Sequence, residues 1–230
     1  MVRKYRDATI DTEKNKSDRT SNPDDAVHFV HIVDDDQAVR SSLGDLLESM
    51  KYSVRLYSSA SEFLSAALPD GPGCLVLDVR LPDTSGLELQ EYLRKAELPM
   101  PIILMTGFGD IPMSVKSMKL GAVDFLTKPI RHQDLLDAIS AAIKLDKERR
   151  RGVLRLANLR EKYELLTTRE KQVLALVASG LMNKQIANKL AIQEITVKIH
   201  RSSMMRKLET KSVATLAKIA ADLNVDLTEV

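Results

Sequence analysis

The stretch CLVLDVRLPDTSG, from Cys74 to Gly86, is the part of this sequence that most clearly indicates a fold. Its four apolar residues, Cys74 to Leu77, are typical of a buried β-strand, and Asp78 follows them directly before a cluster of turn-forming residues. In open parallel α/β sheets the reacting groups collect beyond the carboxyl ends of the strands. Asp78 is therefore a candidate nucleophile or metal ligand, and a solvated aspartate at a strand end is the alternative.

Four more strand-like runs accompany this one, and each is followed by a helical pattern. The predicted strands are His28–Val33, Val54–Ser58, Cys74–Asp78, Pro101–Thr106 and Val123–Thr127. The predicted helices are Ala38–Met50, Ala60–Ala67, Gly86–Lys95, Ile111–Leu120 and Gln133–Leu145. This alternation predicts an α/β fold with a five-stranded, doubly wound parallel sheet in the order 2-1-3-4-5.

Charge divides the chain into segments of different character. Residues 26–146 contain 17 acidic and 11 basic side chains, a net charge of −6, whereas residues 147–230 contain 9 and 17, a net charge of +8. The basic half indicates a polyanionic partner. We predict a flexible N-terminal tail (1–26), an α/β domain (27–145), a helical linker (146–165) and an all-α domain (166–230).

The small number of cysteines and the short length of the apolar runs indicate the cellular compartment. A single cysteine, Cys74, excludes a disulfide framework and is typical of a reducing compartment. The longest apolar runs have the length of strands, and the charged N-terminus has no apolar signal core. We expect a cytoplasmic protein with no membrane association.

Polar residues gather at the carboxyl ends of four predicted strands and hence at one edge of the sheet. They are Asp34, Asp35 and Asp36 after the first strand, Asp78, Thr106 at the end of the fourth, and Lys128 after the fifth. Neighbouring carboxylates repel one another, and Mg²⁺ is the natural cation to stabilise them. With a lysine and a hydroxyl opposite, the set is suited to phosphoryl transfer.

With these residues, the first domain resembles the receiver domain of two-component response regulators, and the run TGFGDIPMSVKSMKLGAVDFLTKP (Thr106 to Pro129) resembles the FixJ branch. The resemblance implies that Asp78 accepts a phosphoryl group from a sensor histidine kinase. It also implies that Asp35, Asp78 and the carbonyl of Arg80 bind Mg²⁺ directly, while Asp34 acts through water. Asp36 falls at a variable position outside this set.

The same resemblance implies a conformational switch. Lys128 would contact the phosphoryl group, with a cis Lys128–Pro129 peptide. Thr106 would move toward the phosphoryl group, and Phe125 would turn inward into the space that Thr106 leaves. The surface of the fourth helix, fifth strand and fifth helix would then change and permit a homodimer.

The linker carries an apolar stripe at helical spacing, formed by Leu156, Leu159, Tyr163 and Leu166. The stripe is consistent with a helix that pairs between protomers or docks on the first domain. An ordinary solvated helix with a small apolar contact is the alternative, because two turns are too few to specify a coiled coil.

The second domain is predicted to contain four helices, Thr168–Ser179, Asn183–Leu190, Glu194–Leu208 and Ser212–Leu223. Their short connections favour a helix-turn-helix unit. In the third helix Val197, His200, Met204 and Leu208 share the face predicted to be buried. The opposite face is basic and can reach guanine edges or phosphates.

Residues 166–220 resemble the LuxR-type (GerE) DNA-binding domain, whose recognition helix corresponds to the third helix. The resemblance implies that Lys198, Ile199 and Ser202 face bases and that Arg201 contacts a base or a phosphate. The implied backbone contacts are Asn183, Lys184, Thr196 and Lys207. Two residues depart from the pattern: Ala191 replaces a turn glycine, and Gln193 replaces the usual Ser or Thr cap, at a cost of about 1 kcal/mol.

Together the two resemblances indicate a phosphorylation-activated transcription regulator that binds promoter DNA as a dimer and acts on RNA polymerase. Two alternatives stay open. The acidic site could belong to a phosphatase, although Val79 and Arg80 leave no separate general acid after Asp78. Without that acid, turnover should be limited to slow dephosphorylation of Asp78 itself. The first domain could also be an unphosphorylated interaction platform.

Overall fold

The computed structural model describes residues 27–107 and 111–225, so the predicted tail (1–26) lies outside the described residues. The chain divides into two compact units, Met1–Lys147 and Glu148–Val230. Along the described chain, no helix is both long enough and apolar enough to cross a membrane.

The first unit contains the predicted sheet. Its strands are β1 (Phe29–Val33), β2 (Ser53–Tyr57), β3 (Gly73–Asp78), β4 (Ile102–Thr106) and β5 (Asp124–Thr127). All neighbours are parallel, in the order β2-β1-β3-β4-β5. This confirms the predicted fold class and strand order, with strand boundaries within about one residue of those expected from the sequence.

Helices cover both faces of the sheet. They are α1 (Gln37–Ser49), α2 (Ala60–Ser65), α3 (Gly86–Lys95), α4 (Ile111–Lys119) and α5 (His132–Glu164). On one face α1 and α5 pack against a cluster that includes Ile32 and Val76. On the other face α2 and α3 pack against Val33 and Leu77. Successive residues of β3 point to opposite faces of the sheet, and helices cover both faces, so every residue of β3 is buried. The residues of β3 before Asp78 therefore form an uninterrupted apolar run.

The loop that follows β3 is held tightly against the end of the strand. A Cβ atom at Gly86 would overlap the backbone carbonyl of Asp78, so only glycine permits this approach. Ser85 and Glu88 then form a capping box that starts α3. Asp83 accepts hydrogen bonds from Ser61 at the start of α2, at 2.8 Å from its backbone nitrogen and 2.6 Å from its hydroxyl.

The predicted fifth helix and linker form a single helix. α5 has 33 residues and continues through Gly152, where the sequence analysis placed a separate linker segment. One exposed glycine costs a helix only about 1 kcal/mol, which its helix-forming neighbours offset. Leu159 and Tyr163 pack against the core of the second unit, where Leu166 is buried. Three of the four residues of the apolar stripe therefore belong to the core of the second unit, the unit in which the stripe itself lies.

The second unit is helical, as predicted. It consists of the last part of α5 followed by α6 (Thr168–Ala178), α7 (Asn183–Leu190), α8 (Glu194–Lys207) and α9 (Val213–Asp222). Its core combines apolar residues of all four helices, including Leu174, Ile186, Val197 and Leu216. Thr167 and Glu170 form a capping box at the start of α6. Ala191, between α7 and α8, adopts a left-handed conformation with φ of 52°.

Candidate metal centre and nucleic-acid interface

Three carboxylates converge where β1 and β3 end. One oxygen each of Asp34, Asp35 and Asp78 lies within 4.8 Å of the others. Asp34 and Asp78 are buried, whereas Asp35 is exposed. The parallel register places the ends of these two strands side by side, with Val33 of β1 paired with Leu77 of β3. Asp36 has a different role, because its side chain accepts hydrogen bonds from Ala38 and Val39 and caps α1.

The ammonium group of Lys128 joins two of these carboxylates. It donates to Asp34 Oδ2 at 2.6 Å and to Asp78 Oδ2 at 3.0 Å. The Lys128–Pro129 peptide that follows β5 is cis, as the receiver resemblance implied. The sequence analysis did not anticipate Arg40, whose guanidinium donates to the carbonyl of Asp34 at 2.6 Å. Its position one turn into α1, close after the acidic run, is the signal that could have revealed this contact.

Burial and neighbouring charges both shift the pKa values of this site. Burial raises the pKa of the Asp78 carboxyl, Lys128 lowers it, Asp34 raises it, and the net direction is upward. Burial alone would lower the pKa of Lys128, but the hydrogen bonds with Asp34 and Asp78 raise it above its ordinary value. Lys128 is therefore protonated at neutral pH, and its ammonium group pairs with two of the three acidic side chains.

This arrangement fits a hard divalent cation. The donors that converge here are the carboxylate oxygens of Asp34, Asp35 and Asp78, and oxygen ligands of this kind are those that Mg²⁺ prefers. A cation would offset the negative charge that Lys128 leaves unbalanced among Asp34, Asp35 and Asp78. The chemistry of the donor set thus agrees with the predicted Mg²⁺ site.

The two predicted switch residues lie near this edge of the sheet. Thr106 ends β4 and is buried, and its neighbour Met105 is paired with Asp78. The carbonyl of Thr106 accepts a hydrogen bond from the backbone nitrogen of Lys128 at 2.7 Å. Phe125 is half-buried, is paired with Leu104, and packs against the core on the α2 and α3 face of the sheet.

In the second unit, α8 has a buried face and an exposed basic face. Val197, Met204 and Leu208 are buried, and His200 is half-buried. The predicted base-facing residues Lys198, Ile199 and Ser202 are exposed. An open concave surface of about 760 Å³ is lined by Lys198, Arg201, Ser202, Met205, Arg206 and Lys211, among others. Glu194 holds the ammonium of Lys198 at 3.2 Å.

The predicted backbone contacts are in different environments. Lys184 is exposed and Thr196 is half-buried. Asn183 Oδ1 accepts a hydrogen bond from Arg201 at 2.9 Å, so two predicted DNA contacts position each other. Lys207 donates to Glu170 at 2.7 Å and to the carbonyl of Leu165 at 3.0 Å. A phosphate contact by Lys207 would require its ammonium to leave Glu170, a pairing that the sequence pattern did not reveal.

Comparisons with known proteins match each of the two units to a family. The response regulator receiver domain family matches residues 30–140, and the LuxR family of bacterial regulatory proteins matches residues 164–220. The chain is 48% identical over 197 residues to nodulation protein W of Bradyrhizobium diazoefficiens, covering 86% of this chain and 87% of that protein. This chain is a response regulator with a LuxR-family DNA-binding domain.

Two further relatives locate this response regulator within its family. The transcriptional regulatory protein FixJ of Azorhizobium caulinodans is 41% identical over 191 residues, covering 83% of this chain and 90% of that protein, which confirms the FixJ resemblance. The solved structure of the response regulator StyR is 46% identical, with a TM-score of 0.75, and covers 85% of this chain and 99% of that one. As a response regulator, the chain has a histidine kinase and DNA as its partners and serves transcription regulation.

Proposed function

We propose that phosphorylation of Asp78 activates this response regulator for sequence-specific binding to promoter DNA. The observation that carries the proposal is the convergence of Asp34, Asp35 and Asp78, two of which, Asp34 and Asp78, bind the ammonium of Lys128. The net upward direction of the Asp78 pKa does not oppose this role, because a bound cation favours the ionised carboxylate.

The chemistry assigned to Asp78 is an in-line displacement. A carboxylate oxygen of Asp78 forms a bond to phosphorus, the P–N bond to the kinase phosphohistidine breaks, and the imidazole leaves. Asp35, Asp78 and the carbonyl of Arg80 would hold Mg²⁺ directly, with Asp34 acting through water, and the cation would supply positive charge for the phosphoryl oxygens. Lys128, already 3.0 Å from Asp78, would donate to a phosphoryl oxygen.

The response to phosphorylation involves the neighbouring strands. The modification adds about −1.5 to −2 charges beside Thr106, whose hydroxyl would donate to the phosphoryl group. Phe125 is only half-buried and could turn further into the core. On α4, Ile111, Val115 and Met118 form an exposed apolar row at helical spacing. This row supports the surface of α4, β5 and α5 as the interface of the phosphorylated homodimer.

The DNA-binding contacts follow the exposed side of α8 and its surroundings. Lys198, Ile199 and Ser202 would face bases, and Arg201 would contact a base or a phosphate. The proposed backbone contacts are Asn183, Lys184, Thr196 and Lys207. Two DNA-binding units held together by a receiver dimer would bind half-sites separated by about one helical turn, roughly 10 bp. Regulation of RNA polymerase bound to the same DNA, within the cytoplasm, would follow.

Enzymatic turnover is the second candidate, since phosphatases use a similar set of acid, metal and lysine. Val79 and Arg80 provide no general acid after Asp78. We therefore propose that turnover is restricted to slow hydrolysis of the Asp78 phosphate. An assay on small phosphate esters should detect no turnover, and multiple turnovers would favour the phosphatase.

The first prediction tests Asp78 as the acceptor. Wild-type protein incubated with Mg²⁺ and a small acyl phosphate should incorporate one acid-labile phosphoryl group, and Asp78→Asn should incorporate none. Asp36→Asn is the matched control, because asparagine also caps helices and Asp36 lies outside the site. Equal labelling of wild type and Asp78→Asn would reject the proposal.

The second prediction tests the α8 surface. Lys198→Ala should weaken binding to promoter DNA by about tenfold or more, since a specific base contact contributes roughly 1–3 kcal/mol. Lys218→Ala removes the same charge from an exposed position on α9 and should have a much smaller effect. Mobility-shift titrations at fixed salt compare them, and identical curves for wild type and Lys198→Ala would exclude this surface.

A further inference from the structure

The exposed face of α8 contains two isoleucines that the core of the domain does not use. Ile195 is 58% exposed and Ile199 is 61% exposed. Their spacing of four residues places the two side chains next to each other on the helix surface. Single exposed apolar residues are ordinary, but an adjacent pair on one helix face indicates an interaction surface.

The surroundings of this isoleucine pair are mainly cationic, with Glu194, which pairs with Lys198 at 3.2 Å, as the acidic exception on α8. Lys198 lies between the two isoleucines in sequence and is exposed, and Arg206 is exposed further along the same helix. Arg201 lines the adjoining concave surface together with Lys198. An apolar pair within a basic helix face is complementary to the major groove, where phosphates flank base edges. Ile195 also lies in the first turn of α8, the part of a recognition helix that reaches base edges.

We propose that Ile195 and Ile199 contact the C5-methyl groups of thymines and thereby set a preference for A·T pairs at two neighbouring positions of each half-site. The thymine methyl is the apolar group that the major groove displays, and an isoleucine has no donor or acceptor for any other base edge. The polar neighbours Lys198 and Ser202 would supply the hydrogen bonds that fix the register. This inference rests on the proposed DNA binding by α8 and adds Ile195 to its contacts.

Replacing thymine by deoxyuridine tests the contact directly, because it removes one methyl group and leaves base pairing intact. The full chain, activated with beryllofluoride and Mg²⁺, is first used to select a binding site from genomic DNA. Each thymine of that site is then replaced in turn. Wild type should lose about fourfold in affinity per contacted thymine, the equivalent of one buried methyl group.

The protein variants identify which side chains make the contact. The double variant Ile195→Ala with Ile199→Ala should bind the thymine duplex more weakly and show no further loss with deoxyuridine. Lys198→Ala is the matched control, since it should weaken binding but keep the difference between thymine and deoxyuridine. Both isoleucines are exposed, so the thermal unfolding of the double variant should match that of wild type.

Three outcomes would overturn the inference. The first is equal wild-type affinity for every thymine and deoxyuridine duplex, and the second is unchanged discrimination in the double variant. Either one leaves DNA binding by α8 intact. The third is that the activated protein selects no DNA sequence at all, which would reject the proposed function together with this inference.

Discussion

Glu170 stabilises the second unit through several contacts to one carboxylate. The side chain is buried and accepts hydrogen bonds from Lys207 at 2.7 Å and from the backbone nitrogen of Thr167 at 2.8 Å. Burial alone would raise the pKa of Glu170, but the hydrogen bonds from Lys207, Thr167 and Ser203 lower it to about 2. One residue thus caps α6 and connects that helix to the end of α8.

The pKa of Glu170 predicts a defined dependence of stability on pH. Because its folded-state value lies below the ordinary 4.5, the ionised group contributes stability that is fully present above about pH 4.5 and is lost as the pH falls toward 2. A shift of this size corresponds to about 3 kcal/mol. Glu170→Gln should therefore lower the free energy of unfolding at pH 7 by about 2–3 kcal/mol, with the difference from wild type disappearing near pH 2.

The difference in free energy of unfolding between wild type and Glu170→Gln is measured by urea unfolding of the full chain at several pH values. Amide hydrogen exchange in α6 reports the stability of the second unit under the same conditions. Glu209→Gln is the control, because Glu209 pairs with Lys162 on the surface with its side chain 72% exposed. That substitution should change stability by less than about 1 kcal/mol. A Glu170→Gln deficit that persists unchanged at low pH would show that ionisation of Glu170 is not its source.

At the scale of elements, the turn between α7 and α8 has backbone strain at one residue. Ala191 is left-handed, with φ of 52°, a conformation that costs residues other than glycine about 1 kcal/mol. Gln193, the N-cap of α8, makes no side-chain capping hydrogen bond. This confirms the weak cap that the sequence indicated. The turn is nevertheless formed, with Ile192 donating its backbone hydrogen to Ala187 at 3.0 Å.

We expect Ala191→Gly to stabilise the protein by about 0.5–1 kcal/mol, because glycine adopts positive φ without steric cost. The matched substitution Ala217→Gly, at an exposed position inside α9, should destabilise by a similar amount. Chemical denaturation measures the free energy of unfolding of both variants. The pair compares the same alanine-to-glycine change at Ala191, where φ is positive, and at Ala217, inside a helix. Destabilisation by both would show that the strain at Ala191 is not relieved by glycine.

At the scale of the whole molecule, the proposed activation requires a change at Asp78 to affect a DNA-binding unit elsewhere in the chain. The proposed intermediate is a dimer formed through the apolar row on α4. A second DNA-binding unit in the same complex binds its half-site at high effective concentration. The apparent affinity therefore rises although each unit makes the same contacts with DNA as it would alone.

Activation with beryllofluoride and Mg²⁺ should therefore convert the full chain from monomer to dimer and increase its DNA affinity by about 100-fold or more. Val115→Glu should block both effects, because it places a charge in the proposed interface, whereas Lys95→Glu on α3 should block neither. Light scattering and DNA titrations on the same samples provide the measurement. A DNA affinity that rises in Val115→Glu without dimerisation would separate activation from this interface.

The sequence by itself determined the α/β and helical units, the strand order, and the strand ends at which Asp34, Asp78, Thr106 and Lys128 occur. Periodicity, turn residues and chain direction are local properties, and a parallel doubly wound sheet converts them into one edge. Only the tertiary structure decided that α5 continues through Gly152 and that Lys207 binds Glu170. The pairing of Lys207 with Glu170 joins groups 37 residues apart, and the continuation of α5 depends on the balance between an exposed glycine and its helix-forming neighbours. Neither outcome is encoded at a fixed spacing along the chain.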